Sequence, residues 1–218
     1  MYYQLSSYLN FLLHSTNQHG VHSPFVYGLV TQCFYDKRHH PAYPIIKAHR
    51  KKLVADTSTL SITDFGAGSR VFKSNERTVR AIAKNAGISQ KRQRLLYRLA
   101  HYLQPKNVLE LGTSMGLGTM ALALADSSKT VITVEGCAAT SAKAQQYFDA
   151  FEIENIQIET SIFDTFFQHT PSKHFDMVYI DGNHSKKATL HYFDALLKFA
   201  QRNDGNFFGG KYWSPVRL

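Results

Sequence analysis

Residues 107–125 read "NVLELGTSMGLGTMALALA". An apolar run ends in a glutamate, meets three glycines, and continues into an alanine- and leucine-rich segment. That order predicts a strand, a tight turn and a helix. The free N–H groups at the start of such a helix can hold a nucleotide-like ligand.

Working outward, "LLYRLAHYL" from Leu95 is an amphipathic helix stopped by Pro105. Further apolar runs follow at 107–111, 130–135, 156–160, 175–181 and 206–208. Helical segments fit between them at about 117–127, 138–151, 164–168 and 185–202. This alternation predicts an α/β fold, a doubly wound and mostly parallel sheet with helices on both faces. Ligands of such sheets bind at the carboxyl ends of the strands.

Upstream, residues 1–94 read as a helical and irregular extension ahead of a ligand-binding domain at 95–218. Ser23 is placed to cap a helix whose first residue is Pro24, and "RHHPAYP" breaks that helix. Tyr2, Tyr3, Tyr8, Phe11 and Phe25 are expected in a core or an interface, with this extension lying over the substrate side. His19 and His22 lack a third ligand and read as loop residues rather than a metal site. "LSITDFGAGS" (60–69) is a second glycine turn, but basic and polar residues follow it and the next strand is some 35 positions away. It is expected to be a loop or hairpin, with Gly66 and Gly68 outside the main ligand turn.

The chain has 218 residues, 44% of them hydrophobic, enough for a substantial core. It shows no apolar run near the roughly 20 residues that span a bilayer. The start lacks a basic flank and a small-residue cleavage site. Cys33 and Cys137 have no metal-binding spacing. A reduced, cytoplasmic protein is the expectation. The net charge is +9, and residues 70–98 hold nine basic residues against one acid. A solvated helical face is the simpler account of that segment, and a patch for phosphates, nucleic acid or an acidic membrane is the other.

The turn itself narrows the ligand. Its pattern is E-x-G-x-x-x-G-x-G, from Glu110 through Gly112, Gly116 and Gly118. It lacks the G-K-[ST] of a triphosphate cradle. Glu110 lies close enough to repel a pyrophosphate and to favour a ligand with a cationic part. Glu135 ends the next strand, 23 residues after Gly112, where a carboxylate takes a ribose diol. Ribose and positive charge without phosphate point to S-adenosylmethionine.

From about Leu95 to Phe208 the chain resembles class I S-adenosylmethionine-dependent methyltransferases, with their Rossmann-like sheet. "LELGTSMGLGT", "VITVEG" and "YIDGNHS" carry the resemblance, which is strongest to the catechol and caffeoyl-CoA O-methyltransferase branch. "HGVHSPFVY" and "DFGAGSR" are also similar to segments of an uncharacterised bacterial group with that core. The resemblance implies cofactor contacts at Glu110, Gly112, Thr113, Ser114, Gly116, Glu135, and Ser161 to Asp164. It matches Asp181 to the first metal-binding carboxylate of the metal-dependent branch, a cofactor-side and catalytic position, and makes His184 the group that deprotonates the acceptor, which a histidine can do near neutral pH.

Two departures from the family stand out. Gly118 replaces a serine that holds the cofactor carboxylate, and Thr119 is the expected substitute. Gly209 and Gly210 stand where the metal-dependent branch completes its metal site, so a divalent metal is not expected in this chain. The last strands of the usual sheet are expected to be missing, which would leave an edge open to homodimer pairing. The implied activity is O-methylation of a small-molecule acceptor. The alternatives are methylation of RNA or another polyanion, and a catalytically silent protein that keeps the cofactor pocket.

Overall fold

The structure is a computed structural model that describes residues 2–15, 20, 22–65, 74–170, 174–183 and 185–200. The chain divides into two compact units, Met1–Arg38 and His39–Leu218.

In the first unit, α1 (Tyr2–His14) has no buried residue. Its Tyr2, Tyr3, Tyr8 and Phe11 are exposed, so the core is not the setting of these aromatics. Ser23 caps α2 (Pro24–Gly28) by accepting from the Val26 N–H, as its placement before Pro24 predicts. A π-helical turn, Leu29–Phe34, continues it.

The second unit opens with α3 (Ala42–Ala55), β1 (Thr59–Ser61), β2 (Glu76–Thr78), α4 (Val79–Asn85) and α5 (Gln90–Leu103). It continues with β3 (Asn107–Leu111), α6 (Leu117–Ala123), β4 (Thr130–Glu135), α7 (Ala138–Ala150), β5 (Ile156–Thr160), α8 (Phe163–His169), β6 (Met177–Ile180) and α9 (Lys186–Ala200). The expected strand at 206–208 lies outside the described residues. Among the described residues, four parallel strands form the sheet in the order β5-β4-β3-β6. The chain runs from β3 outward to β5, then returns to the other side of β3. The crevice between the carboxyl ends of β3 and β6 is therefore the switch point at which open α/β sheets bind ligands.

Strand alternation sets the two faces. Val108 and Val131 pack with Met120, Ala121, Tyr97 and Phe148 on one side. Leu109, Leu111, Ile132 and Val134 pack with Phe166 and Tyr192 on the other. All seven residues of α6 are buried. In α5, the buried Gln93, Leu96, Tyr97 and Ala100 fall at helical spacing. That helix ends at Gln104, which takes the left-handed conformation just ahead of Pro105.

Two boundaries differ from the sequence reading. The sequence put a division at 94/95, but Tyr43 and Ile46 of α3 share a core with Val108 and Met120. The apolar face of α3 completes the sheet's cover, so residues 39–94 belong to the same compact unit. Helix α6 stops at Ala123 rather than near 127. Asn155 donates its amide to the carbonyls of Ala123, Asp126 and Lys129, and Asp126 accepts from the Ser128 N–H and hydroxyl. Side chains thus take up the groups that another helical turn would have used.

Candidate functional site

The end of β3 meets the end of β6. The Gly112 N–H donates to the Val134 carbonyl, and the Asp181 N–H donates to the Leu111 carbonyl. Gly112 has φ 105°. A side chain there would place its Cβ 2.9 Å from the carbonyl carbon and oxygen of Asp181. Only glycine permits both that backbone conformation and that approach. Gly116 (φ 71°) starts α6, and a Cβ on it would meet the Phe148 ring at 2.4 Å. Its missing side chain therefore makes room for α7.

Glu110 and Thr133 are directly paired across β3 and β4, and Glu110 and Tyr179 across β3 and β6. All three face α6. Glu110 is 1% exposed. Its Oε2 accepts from the hydroxyls of Thr119 and Thr133, and Thr113 bonds to Thr133 at 2.7 Å. Its Oε1 is buried without a partner. Burial, opposed by the two threonine hydroxyls and reinforced by the charges of Asp181 and Glu135, pushes the carboxyl up to about 8. Burial likewise raises the Tyr179 phenol, with Asp181 and Glu110 adding to the effect.

Glu135 closes the other side of the turn. Its Oε2 accepts from the Ser114 N–H at 2.9 Å and its Oε1 from the Cys137 N–H at 3.0 Å. Burial raises this carboxyl, against the donating N–H groups. Ser114 takes φ 48° to deliver its N–H. The glycine turn and the acid 23 residues further on are thus one hydrogen-bonded cradle.

Of the remaining candidates, Ser161 follows β5, and its N–H donates to the Glu135 carbonyl. Asp164 is exposed and pairs with His191 at 2.7 Å. Asn183 (φ 45°) bonds to the Tyr192 hydroxyl at 3.2 Å. Thr119 is 0% exposed and its hydroxyl is committed to Glu110, so its geometry anchors that acid. Gly118 has a steric reason: a Cβ there would lie 2.4 Å from Glu110 Oε1 and 3.1 Å from the Tyr179 ring. His19, Gly66, Gly68, His184, Gly209 and Gly210 lie outside the described residues. Among the described residues no cluster of three metal-ligating side chains forms, and no helix is long and apolar enough to cross a membrane.

The residues that precede the second glycine cluster leave an antiparallel ribbon in which Thr59 to Ser61 pair with Glu76 to Thr78. Much of the basic charge around it is structurally engaged. Arg77 pairs with Asp64, Arg80 donates to the Val54 carbonyl, Arg94 lies over the Tyr43 ring, and Arg98 donates to the Tyr43 hydroxyl. Sequence reasoning passed over Thr133 and Tyr179. The period-2 spacing that puts Thr133 on the same face as Glu135 in "TVITVE" was the available signal for the first, whereas Tyr179 needed the strand register.

Residues 109–205 match a family described as a methyltransferase domain. No curated protein matches the chain. Among solved structures, a Podospora anserina methyltransferase bound to S-adenosylhomocysteine is similar at TM-score 0.55 and 15% identity, over 84% of this chain and 66% of that one. The Streptomyces achromogenes O-methyltransferase involved in tomaymycin synthesis, in complex with S-adenosylmethionine, is similar at TM-score 0.51 and 18% identity, over 78% and 65%. A Bacillus cereus O-methyltransferase in complex with S-adenosylhomocysteine has the same TM-score, identity and coverage. The chain spans about two thirds of the length of these proteins. Its fold is the Rossmann-like fold of these methyltransferases.

Proposed function

We propose that this chain is a methyltransferase that uses S-adenosylmethionine to methylate an oxygen of a small-molecule acceptor. One observation carries the reading: the glycine turn, Glu110 and Glu135 form a single cradle at the switch point of the sheet. The cradle fits the cofactor chemically. Glu135 keeps lone pairs for a ribose diol beyond its two backbone N–H bonds. Glu110 holds a buried oxygen without a partner in a ring of hydroxyls, suited to a cationic group. The segment from Ser161 to Asp164, after β5, is assigned to the adenine side.

The bound cofactor supplies the electrophilic methyl group. The chain's own part is alignment: the cradle fixes the donor, and Asp181 and Tyr179 stand at the β6 side where the acceptor approaches. His184 is assigned the acceptor proton.

Calorimetry with S-adenosylhomocysteine tests this reading. Glu135→Ala is expected to weaken binding by roughly 1.5–3 kcal/mol, the range for hydrogen bonds to a charged group. Unchanged affinity removes the ribose assignment. Equal or tighter binding of NAD removes the cofactor assignment.

A further inference from the structure

We propose that Phe65, carried by the β1–β2 ribbon, is the aromatic wall of the adenosine subsite. The inference rests on the cofactor reading above. Gly136 directly follows Glu135 and offers no side chain to cover a nucleoside. A Cβ built on Gly136 would lie 2.7 Å from Cδ2 and 3.2 Å from Cε2 of Phe65, so the ring occupies that space. The residues leading to it are held in place. The Thr63 N–H donates to the Cys137 sulfur at 3.4 Å, and the Cys137 thiol reaches the Ser61 carbonyl at 3.8 Å. Asp64 is paired with Arg77 at 3.4 Å.

The ring is nevertheless 56% exposed. A large aromatic anchored beside a ribose-binding carboxylate, with much of its surface open, presents a flat apolar face where an adenosine would lie. A purine satisfies such a face by stacking while the ribose hydroxyls reach Glu135. Phe65, just ahead of the second glycine-rich segment, thereby acquires a role as a wall of the cofactor site.

The test is calorimetry with two probes, S-adenosylhomocysteine and 5′-methylthioadenosine, which keeps the nucleoside but lacks the amino-acid part. Phe65→Ala and Phe65→Leu are each expected to weaken both probes on the order of tenfold, and Phe65→Tyr to stay within about twofold of the unmodified chain. Thermal unfolding of each variant without ligand confirms that it is folded. The proposal is overturned if Phe65→Leu binds as the unmodified chain does, or if only S-adenosylhomocysteine is weakened. An unmodified chain that binds neither probe overturns the cofactor reading itself. Normal binding by the unmodified chain and by Phe65→Ala removes Phe65 alone.

Discussion

Glu110 and His49 are both withdrawn from solvent, yet their surroundings differ. Glu110 sits under the glycine turn among hydroxyl donors, with two further carboxylates close enough to act on it. His49, on α3, sits among the rings of Tyr147, Phe148 and Phe151 at 5.4–6.4 Å, and neither of its nitrogens has a hydrogen-bond partner. Burial, helped by the charges of Arg50 and Lys52, drives the imidazole down to about 4. Both groups are neutral at pH 7, for the shared reason that a buried charge is costly. Only Glu110 has polar neighbours through which a cationic ligand can recharge it. His49 is a packing residue that happens to titrate. Burial and a shifted pKa therefore do not by themselves mark a site; the polar surroundings do.

The sharpest way to break the comparison is at the turn. Gly112→Ala is expected to cost about 4 kcal/mol, combining backbone strain at positive φ with the contact against Asp181. Urea unfolding measures this, and a loss below about 0.5 kcal/mol would show that β3 and β6 do not meet so closely.

Glu110→Gln probes the other half of the site. With a folded pKa near 8 against 4.5 unfolded, the native chain holds a proton that the unfolded chain releases. Its contribution is complete below pH 4.5 and is lost as pH rises through 8. The glutamine variant lacks that loss, so its stability relative to the unmodified chain should rise by about 3 kcal/mol from pH 5 to pH 8. A flat difference would mean that Glu110 is ionised in the apo protein. The same variant should bind S-adenosylhomocysteine on the order of tenfold more weakly.

His49→Phe has the opposite sign and the smallest effect. The native imidazole stays neutral while the unfolded one protonates below pH 6.5, so stability is lost as pH falls from 6.5 toward 4. The phenylalanine variant should be spared about 2 kcal/mol of that loss at pH 5. Its affinity for S-adenosylhomocysteine should remain within about twofold. An affinity change of tenfold would place the aromatic nest in the binding machinery and collapse the contrast with Glu110.

The sheet was legible because its strands are short apolar runs bounded by turns and helix formers. Strands β3, β4 and β5 follow "NVLEL", "TVITVE" and "IQIET" residue for residue. The place of Glu135 against the glycine turn was legible through its spacing from Gly112. The end of α6 was not, because the carbonyls that stop it are taken by Asn155, which is distant in sequence. Thr119 illustrates the same limit. Its identity suits a cofactor contact, but its direction, toward Glu110, follows from the packing of α6 on the sheet.

The sequence by itself determined the strand–turn–helix units, the glycines that allow the turn, and the two acids at strand ends, since these depend on neighbours a few residues apart. Only the tertiary structure decided which side chains share a face across β4, β3 and β6, that α3 joins the core of the sheet, that Gly118 must be bare because Glu110 lies against it, and that Phe65 arrives over Gly136. Each of these is a contact between segments tens of residues apart. It is fixed by strand register and close packing, which no local pattern of residue types encodes.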